Sequence, residues 1–343
     1  MAVEDPSQGV MRSLRLHRYG PPQDVLRLEA APIPTPAAGA IRIRVQACGL
    51  NPADWALCKG LFARNLPRGV GLDVAGVVDA VGEGAAGVRI GDAVLGPANY
   101  LDYESAGASD FAILDRWAPA PPGLDVTLAA ALPMVVETAS RHLDWLGLET
   151  GQTLLVSGAG TMIGFGAVQM ALMRGARVVA TAGETFAGRL RDLGASVTPY
   201  GEGMVERVRA LAGGAPDLVF DAAPVNLDLA GAPSGGVLAE LVEIAGGDPR
   251  RVLTCVDFAG AAARGVRSTF GEATAGHDGS MFRQDVLGEF ARLAAEGRFT
   301  VPISRTFALD DWREALDISQ RGLAHGKLVL LPTGAAAPAS CAG

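Results

Sequence analysis

TLLVSGAGTMIGFGAVQMAL, residues 153–172, reads as an apolar strand, a glycine turn and the opening of a helix. The run 153–157 has Leu154, Leu155 and Val156 in succession, with no polar alternation, and the helical text runs over 164–173. Working outward, RVVAT (177–181) is followed by helical text to about Leu193, and DLVFD (217–221) follows a further helical stretch. RVLTCV (251–256) then succeeds a helix at 239–244. Strands that are apolar on both faces need cover on both sides, so these alternating units predict a doubly wound parallel sheet and an α/β fold.

The turn carries Gly158, Gly160 and Gly164 between strand and helix. Glycines there let backbone N–H groups and the helix N-terminus face an anion, as in dinucleotide folds. The spacing is one residue longer than the usual fingerprint. A glycine turn that merely tightens the helix is the plainer alternative. The second strand ends Thr181, Ala182, Gly183 with no acid at its tip, where an NAD-binding fold places one. Room at Thr181 and Gly183, with Arg189 on the next helix, favours NADP. Glu184 argues against it, and Arg189 as a solvated helix charge stays open.

Before residue 128 the texture differs. IRIRVQACGL (41–50), VAGVVDAVGEG (74–84), DAVLG (92–96) and FAILD (111–115) are short strands punctuated by Gly, Pro and Asp, which predicts a small antiparallel barrel. After a helix at 286–296 and a short extended run, KLVLL (327–331) is strand text again. The expected domains are therefore 1–128 with 277–343, and 129–276.

A length of 343 residues fits about two domains. With 49% hydrophobic and 19% charged residues, a large core is expected and wholesale disorder is excluded. Net charge is −8, and only Lys59 and Lys327 among the 29 cations are lysines. No basic block is present, which argues against nucleic acid or an anionic membrane face as partner. Cys48, Cys58, Cys255 and Cys341 form no CxxC pair, and His17, His142, His277 and His325 stand apart. Disulfide or structural-zinc frameworks are not expected, and His142 and His277 read as structural histidines. The first ten residues hold Glu4, Asp5 and Pro6 and do not read as a secretory leader. The expectation is a cytoplasmic protein with no membrane span.

Taken together, LRLHRYGPPQDVLRLEAAPIPTP (14–36), GLNPADWALCKG (49–60), GLDVAGVVDAVGEGAAGVRIGDAVLGP (71–97), AAALPMVVETA (129–139), the glycine turn, LRDLGASVTPY (190–200) and GKLVLL (326–331) resemble the medium-chain dehydrogenase/reductase superfamily. The likeness is to its zinc-independent quinone oxidoreductase and enoyl reductase branch. It implies a GroES-like β-barrel domain carrying the substrate site and an inserted Rossmann domain, with the active site in a cleft between them. It also implies a nicotinamide cofactor, expected as NADPH, and a homodimer paired through Rossmann edge strands near RVLTCV. Relatives that bind zinc have a Cys at the position of Asn51 and a His at that of Leu72, which Asp73 follows. Met134 stands at the other Cys position, and the four-cysteine loop is missing. Amide, leucine and thioether do not make a zinc site of the usual kind, so no metal is expected. Relatives also carry glycines where Thr161 and Met162 stand, and a proton-donating Tyr where this chain has Phe62.

The resemblance further assigns Asn51 as a donor to an enolate oxygen and Asp54 as a ribose acceptor or orienting group. Thr138 falls at the nicotinamide end, Tyr200 near the adenine ribose, and Ile163 and Lys327 among the cofactor contacts. An ordinary Asn-Pro turn and a helix cap over 55–59 are the alternatives for Asn51 and Asp54. Lys59 reads as a substrate donor or a solvated lysine. The segment 96–110 is expected to border the substrate, with Tyr100 or Tyr103 replacing the missing proton donor. The expected function is an NADPH-dependent reductase acting on an activated C=C, such as an enone, an enoyl thioester or a polyketide-derived pyran-quinone. The alternatives are a quinone reductase of broad specificity and a non-catalytic NADPH-binding relative.

Overall fold

A computed structural model describes residues 9–225, 236–274 and 284–332. His277, Cys341 and the expected boundary at 277 lie outside the described residues. The chain forms two units, one made of Met1–Met134 with Leu287–Gly343 and the other of Val135–Val286.

The first unit opens with β1 (Val10–Leu16), α1 (Pro22–Val25), β2 (Leu26–Pro32), β3 (Ile41–Gly49) and α2 (Pro52–Cys58). It continues through β4 (Arg68–Gly69), β5 (Asp73–Val81), β6 (Ala93–Pro97), β7 (Phe111–Leu114) and β8 (Ala118–Pro119). Helix α3 (Val126–Leu146) runs across the division between the units. The second unit holds β9 (Thr153–Ser157), α4 (Met162–Met173), β10 (Arg177–Thr181), α5 (Glu184–Asp192), β11 (Ser196–Thr198) and α6 (Met204–Ala212). It ends with β12 (Leu218–Asp221), α7 (Leu238–Ile244), β13 (Val252–Thr254), α8 (Phe258–Arg264), β14 (Arg267–Ser268) and α9 (Thr269–Thr274). The chain then runs through α10 (Gln284–Ala295) to β15 (Ile303–Ala308), α11 (Trp312–Gln320) and β16 (Lys327–Leu331).

In the second unit all strand pairs are parallel, in the order β11-β10-β9-β12-β13-β14. That is the doubly wound order, whose strand sequence reverses between β9 and β12. The turns after these two strands meet there. A Cβ on Gly158 would lie 2.4 Å from the Ala223 Cα, so glycine is required, and its φ of +73° is equally demanding. Helix α4 is buried from Gly164 to Ala171 on every side, which explains why its sequence shows no polar stripe.

The first unit holds a three-stranded sheet, β2-β1-β4, and a larger one ordered β15-β16-β3-β5-β6-β8 with β7 added on β3. One apolar core joins Leu14, Ile41, Val74, Leu114 and Leu330. Two features differ from the expected antiparallel barrel. Strands β15 and β16 run parallel, which demands a crossover. Helix α11 supplies it, burying Trp312, Ala315 and Leu316, in text that the sequence reading passed over. Among the described residues, no helix is long and apolar enough to cross a membrane.

Candidate functional site

Helix α2 begins at Pro52, where the fixed φ of proline suits a first helical position. Asn51 is its N-cap and Asp54 its third residue, and the two close a capping box. The Asp54 carboxylate accepts from the Asn51 N–H at 2.7 Å and, through its other oxygen, from the Gly71 N–H at 2.8 Å. Asp54 is fully buried. With both oxygens engaged, the ribose-acceptor reading of Asp54 gives way to the orienting one: the carboxylate ties the start of α2 to the chain entering β5. The helix also begins at Pro52 rather than at the expected Trp55.

Around Asn51 lies a buried charge network. The Lys327 ammonium, at the head of β16, donates to Asn51 Oδ1 at 2.6 Å and to Asp73 Oδ2 at 2.9 Å. Asn51 Nδ2 donates to the same Asp73 oxygen at 3.0 Å and to the Gly49 carbonyl at 3.4 Å. The other Asp73 oxygen accepts from the Met134 N–H at 3.0 Å. Pro133 lies inside α3 and has no N–H to give the helix, and next to it the Met134 N–H turns toward β5. Gly49 admits the lysine, since a Cβ there would lie 2.9 Å from Lys327 Cε and 2.2 Å from the Ala130 carbonyl oxygen. The structure thus corrects two readings. Asn51 points its amide inward to Asp73 and Lys327 rather than offering it to a substrate oxygen. Lys327 is buried and spends its ammonium on that carboxylate and the Asn51 oxygen, in place of the expected cofactor contact.

Burial pushes the Asp54 carboxyl up to about 7, and Asp73 adds to the rise, while the N–H groups of Asn51 and Gly71 oppose it. An unfolded aspartate titrates at about 3.9. Between that value and about 7 the folded state therefore holds more protons than the unfolded one, and stability falls as pH rises. Unfolding free energies measured across that window are expected to fall more steeply for the wild type than for Asp54→Asn. Equal slopes would remove Asp54 as the source.

The segment 96–110 is part buried wall, part turn. Ser105 through Ser109 are buried. The chain is zipped to 69–71 through Gly107 N–H to the Gly71 carbonyl and Ala108 N–H to the Val70 carbonyl. Tyr103 Oη accepts from the Ala37 N–H at 3.0 Å and is thereby fixed to the approach to β3. Tyr100 is half-buried, packs on the core, and its hydroxyl has no hydrogen-bond partner among the described residues. Its phenol lies close enough to Asp54, Arg68 and Arg64 for their charges to act on it. Lys59 caps the end of α2 and is exposed.

The second unit presents the phosphate-binding turn. Thr161 caps α4: its hydroxyl donates to the Gly158 carbonyl at 2.9 Å and accepts from the Gly164 N–H at 3.1 Å. The side chain that replaces a glycine of the relatives therefore staples the turn. The Met162 and Ile163 N–H groups, at the first two helical positions, face outward without intrahelical acceptors. A Cβ on Gly164 would lie 2.3 Å from the Gly158 carbonyl oxygen, whereas one on Gly160 meets only Phe186, at 3.4 Å. Thr138, on α3, is half-buried, and its carbonyl accepts from His142 at 2.6 Å. His142 is buried, its other nitrogen bonded to Thr269, and burial pushes its pKa down to about 3. It is a neutral structural histidine.

At the nucleotide end, Thr181 is buried and its hydroxyl accepts from the Gly158 N–H at 3.2 Å, so it braces the turn rather than touching a ribose phosphate. Arg189 is exposed and sits about 9 Å along α5 from Gly183, with no hydrogen bond to the strand tip. Gly183 lies beneath the Tyr200 hydroxyl, 3.7 Å from where its own Cβ would be. The cation that does stand here is Arg207, which the sequence reading missed. Its guanidinium donates to Thr198 Oγ1 at 2.9 Å, the Glu202 carbonyl at 2.7 Å and the Pro199 carbonyl at 3.0 Å. Thr198 pairs with Thr181 across the strand tips. Arg207 comes from α6, nine residues beyond its hydroxyl partner, so only register could have signalled it.

Glycine-lined turn, open amides, and a tyrosine with an arginine at the ribose end fit a nicotinamide dinucleotide. The comparisons with known proteins agree. Residues 37–115 match the family described as Alcohol dehydrogenase GroES-like domain, and residues 193–330 match Zinc-binding dehydrogenase. The chain is 34% identical to "Quinone oxidoreductase" of Rattus norvegicus over 182 residues, 51% of this chain and 54% of that protein. It is 35% identical to "Dehydrogenase pigH" of Monascus ruber over 215 residues, 55% of this chain and 58% of that one. The matched stretch thus spans about half the length of these curated relatives. A crystal structure of an alcohol dehydrogenase superfamily protein from Novosphingobium aromaticivorans superposes with a TM-score of 0.78 at 26% identity, covering 94% of this chain and 99% of that one.

The residues here do not fit the zinc of the second family's description. The oxygens of Asn51 and Asp73 are filled by the Lys327 ammonium, and Leu72 has no donor atom. Among the described residues no three His, Cys, Asp or Glu side chains gather as a metal site. With its GroES-like segment, its six-stranded Rossmann-type sheet and these likenesses, the chain belongs to the medium-chain dehydrogenase/reductase superfamily, in its quinone oxidoreductase branch.

Proposed function

We propose that the protein is an NADPH-dependent reductase that delivers hydride to an activated C=C, in an enone, an enoyl group or a quinone, without a metal. The observation that carries this reading is the buried Lys327–Asp73–Asn51 network, which puts an ammonium on the Asn51 oxygen, at a position where zinc-dependent relatives have a Cys. No Lewis acid polarises a carbonyl there. Hydride addition at a carbon remote from the oxygen asks less of the protein, because the resulting enolate needs only a proton.

A nicotinamide dinucleotide bound here would supply the hydride. The Met162 and Ile163 N–H groups and the α4 N-terminus would hold its pyrophosphate, with Gly158, Gly160 and Gly164 allowing close approach. Gly183 and Tyr200 would receive the adenine ribose, and Thr138 would stand at the nicotinamide end. Tyr100 gives the proton, since its hydroxyl is uncommitted whereas that of Tyr103 is held by Ala37. Dimer pairing, if through the sheet edge, uses β14 rather than the RVLTCV text, because β13 is interior.

Arg207 selects NADPH. Its side chain is anchored by three acceptors and has no carboxylate partner among the described residues, so its remaining N–H groups suit a ribose phosphate. Arg207→Gln is expected to raise the KM for NADPH by about 10–100-fold, the worth of one charged hydrogen bond of about 1.5–3 kcal/mol. The KM for NADH should stay put. An equal change for both cofactors would withdraw the assignment. The function itself is tested by following NADPH and NADH oxidation with enones, enoyl thioesters and quinones. Turnover with one enone to a single stereoisomer is the expected result. Preference for simple quinones would favour the broad quinone reductase that the relatives' names suggest, and nucleotide binding without turnover on any acceptor would overturn both.

A further inference from the structure

Arg68 is the largest side chain that is fully buried in the described protein. It lies on β4 and has no carboxylate within 4.0 Å among the described residues, unlike the buried Lys327. One terminal nitrogen donates to the Phe62 carbonyl at 2.8 Å and the other to the Tyr100 carbonyl at 3.3 Å. Its Nε has no partner. The guanidinium carbon sits 5.7 Å from the centre of the Tyr100 ring. Phe62, whose carbonyl it takes, is the one non-glycine residue described with a positive φ, +49°. A buried cation with an idle donor is costly unless something nearby turns negative. Two groups within reach of its charge can turn negative, the Cys58 thiol and the Tyr100 phenol, and it is the phenol whose ring and backbone the guanidinium meets.

We propose that Arg68 is a positioning residue for proton delivery: it holds Tyr100 by ring and backbone, and its charge stabilises the phenolate left after Tyr100 has protonated the reduced substrate. This rests on the reading of Tyr100 as the acid. In the balanced step, hydride adds to the β-carbon of the enone and the π pair moves to oxygen as an enolate. The enolate's α-carbon then takes the Tyr100 proton, so a C–H bond forms and the phenol O–H bond breaks. NADPH ends as NADP+, the enone as the saturated ketone, and the phenolate regains its proton from water. Four influences act on the phenol: burial raises its pKa, Arg68 and Arg64 lower it, and Asp54 raises it. Removing Arg68 leaves burial and Asp54 opposed by Arg64 alone.

The test uses Tyr100→Phe, Arg68→Met, Arg68→Lys and the double variant Tyr100→Phe/Arg68→Met. In protein carrying fluorotyrosine, the Tyr100 signal is assigned by its absence from Tyr100→Phe. Arg68→Met is expected to move the titration of that signal up by about one pH unit or more, the effect of losing about 1.4 kcal/mol of charge stabilisation. Its kcat should fall at least about tenfold with the KM for NADPH unchanged, and the double variant should be no slower than Tyr100→Phe. Arg68→Lys keeps the charge but loses the fork, so its phenol titrates as in the wild type while kcat falls. This variant decides the matter if Arg68→Met does not fold, since an unchanged kcat in Arg68→Lys overturns the proposal. So does an unmoved phenol titration in Arg68→Met. If Tyr100→Phe itself keeps full kcat, the acid assignment fails first and takes the role of Arg68 with it. A slow Tyr100→Phe beside an unmoved phenol titration in Arg68→Met sinks the role of Arg68 alone.

Discussion

Lys327→Met is expected to lower the unfolding free energy by about 3–5 kcal/mol, the usual cost of removing one partner of a buried ion pair. The lysine and Asp73 side chains are both almost wholly buried, at 2% and 1% exposure, so water cannot take over the solvation of the stranded carboxylate. What remains for Asp73 is the Asn51 amide and the Met134 N–H, two neutral donors. Pairing Lys327→Met with Asp73→Asn should recover part of the loss by removing the stranded charge. Thermal and urea denaturation would settle it: a loss below about 1 kcal/mol contradicts a structural role for the pair.

Gly158→Ala should have the second large effect, on nucleotide binding as well as on stability. The substitution forces a side chain into a left-handed backbone conformation and drives its Cβ to within 2.4 Å of Ala223, on the chain leaving the neighbouring strand. Relief requires the turn to lift, which carries the Thr161 staple and the Met162 and Ile163 N–H groups with it. A loss of about 100-fold in NADPH affinity, read by fluorescence titration, corresponds to about 2.7 kcal/mol of misaligned anion contacts. Gly160→Ala is the control within the same turn, because its new Cβ meets only Phe186 at an ordinary distance. It should melt like the wild type, whereas Gly158→Ala should not. Equal damage from both would mean that the turn tolerates no side chain anywhere, whatever its packing.

The contrast between these two glycines shows how far the sequence could be read. TLLVS, RVVAT and KLVLL announce their strands because each has three or four apolar residues in succession, mostly β-branched or leucine, and those three were found at the expected residues. Gly158, Gly160 and Gly164 were legible as a turn but not as three different requirements, which arise from Ala223, Phe186 and the turn's own carbonyl. Side-chain roles set by distant partners were least legible. Asn51 meets Lys327 across 276 residues of chain, and the amide that looked free to serve a substrate is held by that meeting. Arg207 and Arg68 passed as ordinary arginines, since nothing local marks a guanidinium as lacking a carboxylate. Helix α11 escaped because its buried face is only Trp312, Ala315 and Leu316.

Lys327 also carries a consequence for biosynthesis. Its ammonium reaches Asp73 from 254 residues downstream. At ~5–20 residues per second on the ribosome, the aspartate therefore waits on the order of tens of seconds for its counter-charge. Throughout that interval the nascent first unit lacks both β15 and β16, and translation must traverse the whole dinucleotide unit before the latch arrives. A nascent chain released before residue 327 would thus leave a carboxylate facing an apolar interior, a lesion that chaperones and proteases meet as a half-closed sheet.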